Sequence, residues 1–174
     1  ATYYDKDGVL RKSSYNIIPY SEEFDNGWTT QRTVVSANQI TSPDGTATAD
    51  KITGDGTAGG AMSVHRVVSA TASTSYNISV YAKAGTAGWL AIEGYDGVNN
   101  YQVYFDLVNG VPGSISGPGM TDNDIQPVGD GWYRCSVTRT TNAGATIIRP
   151  QFTLATANNT ISVEDTKDFY LWGA

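Results

Sequence analysis

Aromatic rings and planar polar side chains share several extended segments of this sequence. In the stretch WYRC at 132–135, an indole and a guanidinium stand two positions apart, and residues two apart in a β-strand lie on one face. Rings that lie against apolar CH groups, beside amides and charged groups that hydrogen-bond hydroxyls, are the chemistry of sugar binding. Seven residues of these types are the candidate ligand-binding residues: Tyr81, Trp89, Tyr104, Trp132, Arg134, Arg149 and Gln151.

The same residues have a purely structural interpretation, which the sequence leaves open. An outward ring on a sheet can pair with a cross-strand neighbour and stabilise the sheet by about 0.2–1 kcal/mol. Trp132 and Arg134 can also stack on each other without any ligand. Glu93 and Asp106 are further polar candidates for binding hydroxyl groups.

The sequence contains few of the residue patterns that are typical of catalytic sites. A glycosidase needs two carboxyl groups that face each other across a cleft, and Glu93 and Asp106 on consecutive predicted strands are the pair to consider. His65 is the single histidine, and there is no G-x-S-x-G nucleophile elbow. We therefore expect a protein that is not an enzyme.

The metal-ligand inventory is equally limited. One cysteine and one histidine exclude a zinc site in practice, and Cys135 is expected to be a small core residue. Asp122-Asn123-Asp124 and Asp5-Lys6-Asp7 could supply oxygen ligands to a structural calcium ion, although neither begins a complete EF-hand loop. The sequence predicts no other cofactor.

The elements that must position these residues are strands. Thirteen of the seventeen acidic residues are Asp, five of them precede Gly, and two Asn-Gly pairs add to these turn signals. Segments rich in Val, Ile, Thr and Tyr lie between them, at 33–40, 61–69, 74–84, 88–95, 100–108, 132–141, 146–155 and 168–173. This pattern predicts an all-β fold, an antiparallel two-sheet sandwich of jelly-roll type.

Alternation also assigns the faces of the predicted strand at 132–141. Tyr133, Cys135 and Val137 are expected to point into the core, while Trp132 and Arg134 point outward.

The N-terminal residues form a separate unit in this interpretation. Residues 1–15 are predicted to be a short hairpin or arm, and 16–174 the sandwich domain. An arm of this kind can add a strand to a neighbouring sheet, with Tyr3, Val9 and Leu10 as assembly anchors.

Charge narrows the range of partners. The formal charge is −6 and the pI is near 4.5, which disfavours nucleic acid because nucleic-acid binders usually present a basic face. No apolar run approaches the roughly 18 residues needed to span a bilayer, so no membrane partner is expected.

Six motifs in a fixed order resemble a β-sandwich domain of bacteriophage virion proteins, similar in fold to carbohydrate-binding modules. They are NIIPYSEEFDNGW (16–28), TSPDGTATADKIT (41–53), YNISVYAKAG (76–85), FDLVNG (105–110), VGDGWYRCSVT (128–138) and YLWGA (170–174). The opening ATYYDKDGVLRKSS is also similar to the segment that precedes this domain.

The resemblance implies a non-enzymatic module on a virion or extracellular surface, of the tail, fibre or decoration type. Its expected partner is a glycan on a cell surface, bound for adhesion, and a homo-oligomer or larger virion assembly is expected. The alternative is a structural subunit, a decoration or appendage protein that assembles through strand edges and its N-terminal arm.

Overall fold

The computed structural model describes residues 2–4, 10–12, 16–162 and 166–174. Its strands, in chain order, are β1 (Thr2–Tyr4), β2 (Leu10–Lys12), β3 (Thr29–Gln31), β4 (Thr33–Ile40), β5 (Ala49–Gly54), β6 (Ser63–His65), β7 (Val68–Ser69), β8 (Ser75–Ala84), β9 (Trp89–Tyr95), β10 (Asn100–Asp106), β11 (Val111–Ser116), β12 (Met120–Gly129), β13 (Trp132–Thr140), β14 (Ile147–Ala157), β15 (Thr160–Ile161) and β16 (Asp168–Trp172). The described ranges contain no helix, and hence none that could span a membrane.

Two antiparallel sheets pack against each other. The larger has the order β11-β10-β9-β14-β6-β3, with β7 and β15 pairing with β14 beside this path. The smaller has the order β12-β13-β8-β16-β5-β4, and β1 and β2 form a two-stranded sheet of their own. The predicted all-β sandwich is confirmed. The jelly-roll type concerns the finer connectivity and stays a prediction.

The core lies between the sheets and is built from alternate residues. Ile78 and Val80 of β8 and Cys135 and Val137 of β13 are buried, and they meet side chains such as Phe152 of β14 from the larger sheet. Each fully buried apolar side chain of this size stabilises the fold by about 1.5–3 kcal/mol relative to exposure. The core face predicted for 132–141 is thus confirmed.

The turns follow the predicted Asx-Gly pairs. All six of these glycines that lie in the described residues have a positive φ, from 66° at Gly110 to 90° at Gly45. At Asp130-Gly131, between β12 and β13, both residues have positive φ, 51° and 76°. Two such residues in a two-residue loop are the requirement of a type I′ hairpin.

Each predicted strand segment contains a strand, and 33–40 coincides with β4, but 61–69 divides into β6 and β7. Pro150 explains the division. β6 pairs with Gln151–Thr153 and β7 with Ile147–Ile148, so the pairing on this side of β14 is interrupted around Pro150. Proline has no N–H to donate to a ladder.

Several strands were not predicted, including β11 and β12, two long members of the sheets. Their sequences, VPGSIS and MTDNDIQPVG, contain Pro, Gly and Asp in place of alternating apolar residues. Both are strands because they pair with β10 and β13, which hold them in register. Tertiary pairing overrides local propensity here.

Candidate ligand-binding site

The seven predicted ligand-binding residues do not form one site. One group lies on the outer face of the larger sheet: Trp89, Tyr104, Arg149 and Gln151. The other group lies on the outer face of the smaller sheet: Tyr81, Trp132 and Arg134. The apolar core separates the two groups. Alternation identifies the face of a strand, but not the sheet to which the strand belongs.

The outer face of the larger sheet carries a continuous line of polar side chains, here called the polar row. Neighbouring positions on β11, β10, β9, β14, β6 and β3 are in register, and the row consists of Ser116, Gln102, Glu93, Gln151, His65 and Thr29. Five spacings between strands make the row about 24 Å long. It therefore crosses the whole width of the sheet.

Glu93 holds the centre of the polar row together. The Gln102 amide donates to Glu93 Oε1, and both Gln151 Nε2, at 3.2 Å, and Thr153 Oγ1 donate to Glu93 Oε2. Hydrogen bonds to an ionised acceptor are stronger than neutral ones. The carboxylate thus fixes the two flanking amides in defined orientations.

A cleft of about 240 Å³ opens beside Glu93, over β9, β10 and β14. Its lining is mostly polar and comprises Glu93, Gly94, Asn100, Tyr101, Gln102, Ser116, Arg149 and Gln151. Gly94 is required by close packing beneath the cleft, on the core side of β9, because a Cβ there would lie 2.2 Å from the hydroxyl oxygen of the buried Tyr101 and from the Arg149 carbonyl oxygen. The cleft can surround a small polar group with amides, a guanidinium and a carboxylate.

Polar side chains are recessed on this face although it points away from the core. Ser63 and Thr153 are fully buried, and Gln151 is only 8% exposed. Four buried side-chain polar atoms in the described part of the chain have no hydrogen-bond partner, and three are here: Ser63 Oγ, His65 Nδ1 and Arg149 Nε. Most buried polar atoms are hydrogen-bonded, so this concentration of exceptions distinguishes the face from the rest of the molecule.

The charges of the site nearly cancel. Burial, and secondarily the positive charge of Arg149, lowers the pKa of His65, so its imidazole is neutral at pH 7. The guanidinium of Arg149 lies over the Tyr95 ring, 5.7 Å from its centroid. One carboxylate and one guanidinium remain near the cleft, which favours a neutral polar ligand over a strongly charged one.

The two predicted aromatic residues of this face are used for packing. Tyr104 is 2% exposed, so the expectation of an accessible ring is wrong there, and Trp89 is half-buried in the same cluster with Ala91 and Ala155. Gly113 of β11 leaves room for this packing, because a Cβ there would come within 2.8 Å of Tyr104 Cβ and 3.0 Å of Trp89 Cζ3. Tyr95 is half-buried, and its ring lies beside the cleft residue Arg149.

Trp132 is also buried, contrary to the prediction of an exposed indole. It is 3% exposed, and its Nε1 donates to the Thr41 carbonyl oxygen at 3.1 Å. Thr41 directly follows β4, 91 positions away in the sequence, so this cover is non-local. Its neighbour Tyr133 packs against the core as expected.

Tyr81 and Arg134 are half-buried cross-strand neighbours on the smaller sheet. The Tyr81 ring packs against Trp172 with a centroid distance of 5.4 Å, and Arg134 Nη2 contacts Asn77 Oδ1 at 3.5 Å. Both residues line a second, larger groove of about 660 Å³. They are remote from the polar row.

Glu93 and Asp106 are not placed as a glycosidase pair. Glu93 is opposite Gln102, four residues from Asp106 on β10, which corresponds to about 13 Å along the strand. Glycosidase carboxyl groups are about 5–9.5 Å apart. Asp106 is buried and accepts hydrogen bonds from the backbone of Val108 and Asn109 and from the Asn109 amide. Burial raises the pKa of Asp106, but these hydrogen bonds outweigh it, and the net pKa is lowered.

The described residues contain no group of three or more His, Cys, Asp or Glu side chains that could hold a metal ion. Asp122 and Asp124 accept hydrogen bonds from Thr121 and Gln126 instead. The second calcium candidate, Asp5-Lys6-Asp7, lies outside the described residues. Of the assembly anchors, Val9 also lies outside them, and Tyr3 and Leu10 are described only as positions of β1 and β2.

Several members of the site were not among the residues predicted from the sequence: Tyr95, Asn100, Gln102, Thr153 and Ser63. The signal for three of them was present, because Tyr95 is two residues after Glu93, and Asn100 and Gln102 alternate with buried residues of β10. Ser63 and His65 lie on a three-residue strand, too short to show a period.

No protein-family model matches this chain, and no curated protein matches it.

Proposed function

We propose that this chain is a non-enzymatic carbohydrate-binding module that recognises a cell-surface glycan with the polar row and the adjacent cleft. The observation that supports this most directly is the hydrogen-bonded array of planar groups around Glu93 on a recessed sheet face. Placement on a bacteriophage virion, and the jelly-roll connectivity, belong to the same proposal and rest on the sequence resemblance.

The groups of the cleft suit the hydroxyls of a sugar. Arg149, Asn100 and Gln102 supply N–H donors, while Glu93 and the amide oxygens supply acceptors. A vicinal diol can donate to a carboxylate and accept from an amide at the same time. The half-buried Tyr95 beside Arg149 is the ring that we expect to contact the apolar side of a pyranose.

The shallow form of the cleft implies weak binding by a single copy. A volume of about 240 Å³ is below the roughly 300–1,000 Å³ of typical drug-sized ligand pockets. Millimolar affinity becomes effective when many copies face one cell, because binding at further sites is then governed by effective concentration. Display on a particle would supply that multiplicity.

Titration of the isotope-labelled chain with neutral mono- and oligosaccharides, followed by NMR, tests the proposal. We expect amide shifts on β9, β10 and β14 around Glu93 and Gln102. Gln102→Ala removes one hydrogen-bonding amide from the cleft and should weaken binding about tenfold, equivalent to about 1.4 kcal/mol. Glu93 keeps Gln151 and Thr153 as donors in this variant, so the fold should persist.

Gln126→Ala is the matched control, because Gln126 is an exposed glutamine on the smaller sheet. It should bind the same sugars as the wild-type chain. The proposal is wrong if sugars shift no residue of the larger sheet, or if Gln126→Ala weakens binding and Gln102→Ala does not.

A further inference from the structure

The strand β8 has an open edge inside the smaller sheet. β13 pairs with β8 along Ser75–Lys83, but β16, on the other side, reaches only Tyr81–Ala84. After Trp172 the chain leaves this line, since Gly173 has φ +60° and the Ala174 amide donates to the Ser21 carbonyl. Residues 75–80 of β8 therefore have no strand partner on that side among the described residues.

An open edge of six residues can accept another strand. In antiparallel pairing every second residue directs both its N–H and its C=O to one neighbour, so 75–80 offer about three of each. The length is about 20 Å. Such an edge is a site for strand addition, in which main-chain hydrogen bonds supply the affinity.

The open edge of β8 lies in a groove. The groove has a volume of about 660 Å³ and includes Thr74–Ser79 of the β8 side. Its apolar walls come from the segment that precedes β3 and from the larger sheet with its short strand β7: Ile17, Ile18, Val68, Ile148 and Pro150. Space and apolar contact are both present for the side chains of an added strand.

The same chain has a hairpin that lacks a sheet. β1 and β2 pair with each other in the register Thr2↔Lys12 to Tyr4↔Leu10 and join neither large sheet. An isolated two-stranded hairpin is marginally stable in water, whereas three or more strands with an apolar face are stable. Its three-residue strands, about 10 Å long, fit within the edge of β8.

We propose that the β8 edge at 75–80 is an acceptor for the N-terminal hairpin of a second copy of this chain. Within one copy, hairpin and edge are both present and are not paired with each other, so the partner in this proposal is another molecule. The proposal is independent of glycan binding, which uses the opposite sheet.

Cross-linking of mixed cysteine variants tests the contact. Full-length Thr2→Cys and Asn77→Cys chains are mixed and treated with a flexible bismaleimide; the native Cys135 is buried. We expect a cross-linked dimer at least tenfold more abundant in the mixture than in either variant alone. Replacing Asn77→Cys by Gln39→Cys, on the exposed edge strand β4, should return the yield to background.

Two further measurements complete the test. Deletion of residues 1–12 should shift the full-length oligomer to monomer in sedimentation velocity. The doubly substituted chain, Thr2→Cys with Asn77→Cys, should give intermolecular products that decrease on dilution. A background yield in the mixture, an unchanged oligomer after deletion, or a concentration-independent product within one chain would each overturn the proposal.

Discussion

Asp96 and Arg139 form an ion pair in which both side chains are almost fully buried, with relative exposures of 0% and 1%. Asp96 follows β9 of the larger sheet and Arg139 is on β13 of the smaller sheet, so the pair joins the two sheets. Asp96 also accepts hydrogen bonds from the amides of Val98, Asn99 and Asn142. Burial raises the pKa of Asp96, but these donors outweigh burial and the net pKa is lowered.

Asp96→Asn should be strongly destabilising. Removing one partner of a buried pair leaves the other charge uncompensated, which costs about 3–5 kcal/mol. Urea unfolding of wild type and variant measures the difference, and Asp44→Asn, at an exposed turn, is the control. A loss below about 1 kcal/mol for Asp96→Asn would contradict the role described for the pair.

Trp132 should contribute to stability and not to sugar binding. Trp132→Ala removes a buried indole and should cost about 3–5 kcal/mol, while Trp132→Phe should cost less because most of the ring volume remains. Denaturant unfolding gives both values. Trp132→Phe should bind sugars as the wild type does. A loss of sugar binding without a loss of stability would instead support the prediction that Trp132 contacts the ligand.

The stability of the protein should depend on His65 in mild acid. The pKa of His65 in the folded protein is below its ordinary value of 6.5. At pH values between these two pKa values, the unfolded chain therefore binds more protons than the folded chain. Stability therefore decreases as the pH falls through 6.5 toward the folded pKa, by at most about 1.4 kcal/mol per pH unit.

His65→Gln removes this titration. The unfolding free energy of the wild type minus that of His65→Gln should therefore decrease as the pH is lowered from 7 to 5. Urea titration at each pH measures this difference. A constant difference across this range would show that His65 has the same pKa in both states.

Cys135 should be unreactive in the native protein. The side chain is fully buried, and burial raises the pKa of its thiol far above the ordinary value, while the thiolate is the reactive form. A chromogenic aromatic disulfide should label it only as urea unfolds the chain, with a midpoint equal to that from circular dichroism. Rapid stoichiometric labelling without urea would contradict the burial.

Local sequence patterns predicted the strands whose residues alternate and the turns that need Gly. β8 and β13 lie where apolar residues recur at every second position, and Asp130-Gly131 forms the predicted tight turn. These features depend on neighbours in the chain. β11 and β12 depend on partners elsewhere, and their sequences alone do not indicate strands.

The candidate site was only partly predictable for the same reason. The outward direction of Arg149 and Gln151 follows from alternation on β14, but the burial of Trp132 depends on the distant Thr41, and that of Tyr104 on the distant Ala155 and Ile161. The polar row becomes visible only once strand order is known, since its members come from six separate segments. Exposure is a property of the assembled sheet.

The hairpin of β1 and β2 and the open edge of β8 are different surfaces of one molecule, so a contact between them would not be self-complementary. If two copies exchange hairpins, every donor and acceptor is used and growth stops at two. If each copy instead inserts its hairpin into the next copy, the rotation between successive copies decides the outcome. A rotation that closes gives a ring in which every hairpin and every β8 edge is used, and one that does not close gives an unlimited filament with one hairpin and one edge unused at its ends.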